Sequence, residues 1–287
     1  MATLRDIRRR IKSAENIEQI TQAMKMVAAA KLRRLQDRMF NLRDYSEHLQ
    51  GYLYRFIEDT MGYEHPLLEP REGNRATLIA MSGDRGLCGS FNTNALRNAT
   101  AYIAESSEEV AVFAVGKRGV DHFRQRKQKV EAEYSGLYDA PSFVVARQLV
   151  GKAIAAYLQG RTDKVVVSRP QFINTMTQRF VIDQLLPFDR EEAAQMAQGT
   201  EREVYLVEPS PEGMATVLLE AFLAIQMHRA LMETACSEFA ARMVAMDLAT
   251  NNAQDMIQRL TLEYNRARQN AITKEILDII GGAEGMR

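Results

Sequence analysis

The sequence predicts an α/β protein in which two long helices, one at each chain end, pair as an antiparallel coiled coil around a central α/β segment. Two proline-free stretches carry apolar residues at helical spacing, from Leu4 to Glu58 and from Glu212 to Ile280. Between them, short apolar runs alternate with helical patterns, which is typical of a mostly parallel sheet. We expect boundaries at residues 1–60, 74–208 and 209–287.

The first helix shows apolar residues alternately three and four positions apart. Leu4, Ile7, Ile11 and Ala14 set one register, which shifts by one over Ile17, Ile20, Met24 and Val27 and resumes at Leu32. This spacing predicts a coiled-coil helix with one register slip. The helix would be roughly 75 Å long.

The central segment begins after the proline- and glycine-containing stretch at 63–75. It predicts strands at ATLIAMSG, VAVFAVG, KVVVSRP, QRFVIDQLLPF and EREVYLVEP, with helices over 93–104, over 118–126 and in PSFVVARQLVGKAIAAYLQG. This order predicts a Rossmann-like domain with a mostly parallel sheet.

The second long helix would span roughly 100 Å. The central segment, residues 74–208, is too small to bury two helices of this length. We therefore expect them to pack against each other along their apolar stripes.

Composition and charge narrow the functional classes. The chain has 287 residues, 46% hydrophobic and 26% charged, with a net charge of zero. These values argue against global disorder. Between Arg5 and Arg43, eleven basic residues outnumber four acidic ones, whereas the segment from Glu212 is mildly acidic. This charge asymmetry predicts that the two chain ends meet each other or meet a large acidic partner. The interleaved isoleucines argue against a DNA-binding basic region, and no run of about eighteen apolar residues predicts a membrane span.

Candidate chemical motifs are few. SGDRGLCGSFN, Ser82 to Asn92, lies between a strand and a helix, where phosphate-binding loops occur. Its glycines are spaced GxxGxxG without a following GK[ST], so a tight structural turn is favoured over nucleotide binding. Cys88 is expected to be a packed thiol, and the four histidines lie in different elements. We therefore predict no catalytic, cofactor-binding or metal-binding residues.

Three stretches carry a resemblance to a known family. IRRRIKSAENIEQITQAMKMVAAAKLRRLQDRM (Ile7 to Met39), SGDRGLCGSFN and the segment from Ser237 to Met286 closely resemble the gamma subunits of F-type ATP synthases. The resemblance covers the whole chain, in order and at matching spacing.

This resemblance implies a non-catalytic central-stalk rotor. One such subunit lies inside a ring of three alpha and three beta subunits, which hold the nucleotide sites, and its foot joins the epsilon subunit and the c ring. It implies no cofactor, no nucleic acid partner and no direct membrane insertion. The start at Met1 suggests a bacterial protein, on the cytoplasmic face of the inner membrane.

The resemblance also assigns rotor–stator contacts to individual residues. Matching positions place contacts with beta near Met24 and Lys25 and at Arg242. Further contacts with the ring fall on the last helix, at Gln269, Thr273 and Glu275. A freestanding nucleotide-binding α/β protein with coiled-coil arms remains the alternative.

Overall fold

The computed structural model describes residues 3–59, 65–188 and 211–284. Contacts divide the chain into two compact units: one combines the described parts of Met1–Ala28 and Arg242–Arg287, and the other the described parts of Ala29–Ala241. The described residues form ten elements in this order: α1 (Leu4–Asp59), β1 (Arg75–Met81), α2 (Phe91–Glu105), β2 (Glu109–Val115), α3 (Lys117–Gln125), β3 (Val130–Tyr134), α4 (Phe143–Leu158), β4 (Lys164–Phe172), β5 (Gln178–Leu186) and α5 (Pro211–Glu284).

The sheet has the strand order β3-β2-β1-β4-β5. The first four strands are parallel, and β5 is antiparallel to β4. The predicted fold class is therefore confirmed. Sequence analysis missed β3, and the strand predicted at 201–209 lies outside the described residues.

Successive side chains of a strand point to opposite faces of the sheet. Leu78 and Ala80 on β1 lie in one hydrophobic cluster with Val112 on β2 and Phe123 on α3. Met81, of the opposite parity, accepts a hydrogen bond at Sδ from Thr234 Oγ1 on α5 at 3.3 Å. The long helix α5 thus packs at the end of β1.

The register slip predicted for α1 is wrong. Ile7, Ala14, Thr21, Ala28 and Leu35 are all buried, seven residues apart, so the heptad repeat runs without interruption. The apolar residues of the supposed second register are mostly exposed: Ile17, Ile20 and Val27 are 53%, 59% and 57% exposed. The seam, the face of α1 that packs against α5 in the coiled coil, includes polar side chains such as Glu18 and Lys25. The spacing of apolar residues alone therefore predicted the wrong face of α1.

The helix stretch Gly213–Leu277 is long and apolar enough to cross a membrane by length and composition. Half of its most apolar 18-residue window is buried within the protein.

Candidate functional site

The unit formed by the two chain ends is an antiparallel helix pair joined by polar contacts. Thr21 Oγ1 and Thr250 Oγ1 are 2.8 Å apart and buried, and Lys25 Nζ lies 2.6 Å from Asp247 Oδ1. Further along, Gln254 donates to Glu18 at 2.7 Å, and Arg8 donates to the Tyr264 hydroxyl at 3.0 Å. As residue numbers rise on α1 they fall on α5, so this unit has the predicted antiparallel pairing.

The six predicted contact residues fall into two groups on this pair. Met24 and Lys25 are half-buried, and Arg242 is buried. In contrast, Gln269, Thr273 and Glu275 are exposed on the last part of α5. The groups are roughly 40 Å apart along the helix.

An exposed apolar stripe lies beside the polar seam. It is defined by Ile17, Ile20 and Val27 of α1, which recur at helical spacing and share one face. Exposed apolar side chains that share one helix face are candidates for an interaction site. The prediction that these residues lie inside the coiled coil is wrong. A heptad repeat counted onward from Ile7 predicts that they lie outside it.

The glycine-rich turn holds an anion supplied by the chain itself. Asp84 Oδ1 accepts hydrogen bonds from the backbone amides of Lys117 and Gly136 at 3.0 and 2.9 Å. Asp84 Oδ2 accepts from the amides of Leu137 and Tyr138 at 3.0 and 3.5 Å. These amides follow β2 and β3, at the sheet edge where nucleotide phosphates bind in related folds. A carboxylate occupies that place here, which favours the structural-turn interpretation.

Close packing explains the glycine that opens α3. Gly116 has φ +98°, and an added Cβ would lie 2.1 Å from the Ser82 carbonyl oxygen. The Ser82 hydroxyl also accepts a hydrogen bond from the Gly119 amide at 2.8 Å. The turn at Lys117 is therefore a tight loop-to-helix junction.

In the described part of the chain, both cysteines are buried and the possible metal-binding side chains form no cluster. Cys88 is buried, as expected for a packed thiol. Burial, with a smaller contribution from the nearby Glu233 carboxylate, raises the pKa of the Cys236 thiol to about 12. Within residues 3–59, 65–188 and 211–284, no group of three His, Cys, Asp or Glu side chains could hold a metal ion.

Sequence reasoning also missed a charged cluster inside the larger unit. Glu233 on α5 is fully buried. Its Oε1 accepts from Arg43 Nη2 at 3.0 Å and from Arg229 Nε at 3.1 Å, and its Oε2 accepts from Arg169 Nη1 at 2.7 Å. Positions 43, 169 and 233 are too far apart in sequence for any local pattern to connect them.

Comparisons with known proteins agree with the fold. A family model described as ATP synthase matches residues 3–286. The ATP synthase gamma chain of Desulfitobacterium hafniense is 42% identical over all of both chains, and that of Heliobacterium modesticaldum is 41% identical over all of both.

Solved structures give the same fold at lower identity. A chain of the Euglena gracilis mitochondrial ATP synthase, in an OSCP/F1/c-ring structure, has a TM-score of 0.69 at 20% identity, covering 99% of this chain and 94% of that one. A chain of the Tetrahymena thermophila mitochondrial enzyme, in a central stalk and c-ring structure, has a TM-score of 0.60 at 22% identity, covering 80% and 99%. The family model and the relatives at 42% and 41% identity show that the chain belongs to the ATP synthase gamma chain family.

Proposed function

We propose that this chain is the rotor shaft that couples c-ring rotation to ATP synthesis in a proton-translocating F-type ATP synthase. One copy lies within a ring of three alpha and three beta subunits, and its foot contacts the epsilon subunit and the c ring. The complex is attached to the cytoplasmic face of the bacterial inner membrane, with this subunit peripheral. The relatives named above as ATP synthase gamma chains, at about 40% identity over their full length, support this role.

The observation that carries the proposal is the exposed apolar stripe on the paired helices. Ile17, Ile20 and Val27 lie outside the seam, so the pair buries its own contacts and still presents apolar surface. A surrounding ring of alpha and beta subunits would cover that surface. Burial of apolar area then contributes favourable binding energy.

Rotation does work only if the shaft is asymmetric. The stripe lies on one face of α1, so three equivalent beta subunits would meet different surfaces at any one angle. Each beta subunit then shifts toward the conformation that its current contact favours, because only differential interaction energy moves such an equilibrium. Coupling of this kind is reciprocal, so ATP hydrolysis drives the shaft in the opposite direction.

The six contact residues take distinct places in this mechanism. Lys25 is held by Asp247, so its charge has a defined position from which to meet acidic groups of beta. Met24 lies next to it in sequence, and Arg242 lies about a turn from Asp247 on the facing helix. Gln269, Thr273 and Glu275 are exposed, as residues that touch the ring near the end of α5 must be.

Coexpression with the cognate alpha and beta subunits tests the proposal. The chain should copurify with both, alter their ATPase turnover, and restore ATP-driven proton pumping when combined with epsilon and the membrane sector. A chain that neither copurifies nor changes turnover is not the rotor. ATP binding or hydrolysis by the isolated chain would support the alternative of a freestanding nucleotide-binding protein.

A further inference from the structure

Glu233 connects three parts of the larger unit through one carboxylate. Arg229 lies on α5 itself, one turn before Glu233, whereas Arg43 comes from α1 and Arg169 from β4. The carboxylate is completely buried, so each of these bonds is shielded from solvent. Hydrogen bonds between charged groups are the strongest class in proteins, and low local polarity strengthens them.

Two of the arginines extend the connection into the sheet. Arg43 Nη2 also donates to the Phe172 carbonyl at the end of β4, at 2.9 Å. Arg169 Nε donates to Asp183 on β5 at 2.6 Å. The sheet is therefore held to both long helices by short, directional bonds. A rotation of the sheet about the α5 axis would lengthen several of them together.

A second polar attachment joins α1 to the loops after β1 and β3 at a more exposed place. Lys31 on α1 and Arg85 after β1 both pair with Asp139, at 2.6 and 2.8 Å. All three side chains are at least one-third exposed. Solvent and salt weaken exposed pairs of this kind, so this attachment resists rotation less than the buried one does.

We propose that Glu233 and Arg169 form a torsional joint that transmits torque between the α/β sheet and the parts of α1 and α5 that lie in the same unit as the sheet. The inference rests on the proposed rotor function, because only a rotor carries torque. Arg169 is the informative member, because its bond to Glu233 crosses from the sheet to α5. The Arg229 bond to the same carboxylate stays within α5.

This geometry supplies a matched pair of variants. Arg169→Gln and Arg229→Gln each remove one positive charge and one bond to Glu233. The two arginine side chains are similarly buried, at 15% and 18% exposure. Only Arg169→Gln cuts the link between sheet and helix. Arg169→Lys is an additional variant that keeps the charge, but a single ammonium lacks the fork that bridges Glu233 and Asp183.

The measurement is torsional stiffness in the assembled complex of alpha, beta and this chain. Both native cysteines are buried, so a cysteine introduced at exposed Glu105, at the end of α2, gives a specific attachment point for a bead. The angular variance of the bead during catalytic pauses reports the compliance between the sheet and the ring. We expect this variance to rise for Arg169→Gln, to rise less for Arg169→Lys, and to remain at the wild-type value for Arg229→Gln, with unloaded ATPase rates unchanged in all three.

Two results would contradict the proposed joint. Equal variance in the Arg169 variants and the wild type would overturn the joint, and so would an equal rise in the Arg169→Gln and Arg229→Gln variants. If Arg169→Gln does not assemble, the comparison of Arg169→Lys with Arg229→Gln decides in the same way. Failure of the wild-type chain to assemble would instead reject the rotor function.

Discussion

The exposed apolar stripe makes a quantitative prediction for assembly. Replacing Ile17, Ile20 and Val27 together by serine removes its apolar surface, and serine has about the same helix propensity as these residues. Each side chain is a little more than half exposed. Fully burying one contributes about 1.5–3 kcal/mol, so covering the remaining half contributes about 1 kcal/mol per residue and about 3 kcal/mol for three.

A loss of about 3 kcal/mol corresponds to roughly hundredfold weaker binding. The assay is titration of the chain into purified rings of alpha and beta subunits, followed by the change in ATPase turnover. Affinity should fall to this extent for the triple variant. Unfolding of the isolated chain should change by less than about 0.5 kcal/mol per site, because exposed positions contribute little to stability.

A seam residue provides the opposite control. Ile7 is 1% exposed, so Ile7→Ser should lower the free energy of unfolding by about 2–5 kcal/mol through lost packing. Wild-type affinity in the triple variant would refute the argument that the ring covers the stripe. An unfolding loss in the triple variant as large as that of Ile7→Ser would show that these residues belong to the seam after all.

Three further predictions follow from other parts of the chain. Asp84→Asn should lower the free energy of unfolding by about 2 kcal/mol, because an amide group presents a donor where backbone amides need an acceptor. Urea denaturation measures this loss, with Asp121→Asn, a half-buried position on α3, as the control. Cys236 should not react with a thiol reagent at pH 8 in the folded chain, since its pKa of about 12 leaves almost no thiolate; labelling within minutes under native conditions would contradict the buried geometry. Met24→Lys should place a second cation beside Lys25, able to pair with acidic groups on beta. The number of protons pumped per ATP hydrolysed in membrane vesicles should then fall. An unchanged ratio would show that Met24 is not a contact residue.

Much of the fold could be predicted because its signals are local. The proline-free helical periodicities located α1 and α5, and short apolar runs located β1, β2, β4 and β5. Strand β3 was missed because only Ala132 in VEAEY is buried, so at the edge of the sheet the strand carries little apolar signal. The contact residues came from resemblance alone, and their roles stay predictions.

The sequence by itself determined that two long helices flank an α/β segment and that they pair, because helix periodicity and unburied length are properties of the chain. The tertiary structure alone decided which face of α1 meets α5. Thr21 and Lys25 can lie in the seam because Thr250 and Asp247 are there to pair with them, and residues more than 200 positions apart leave no local pattern. The same reason kept the Glu233 cluster hidden: a buried charge is tolerated only where its partners converge, and that convergence exists only in the folded chain.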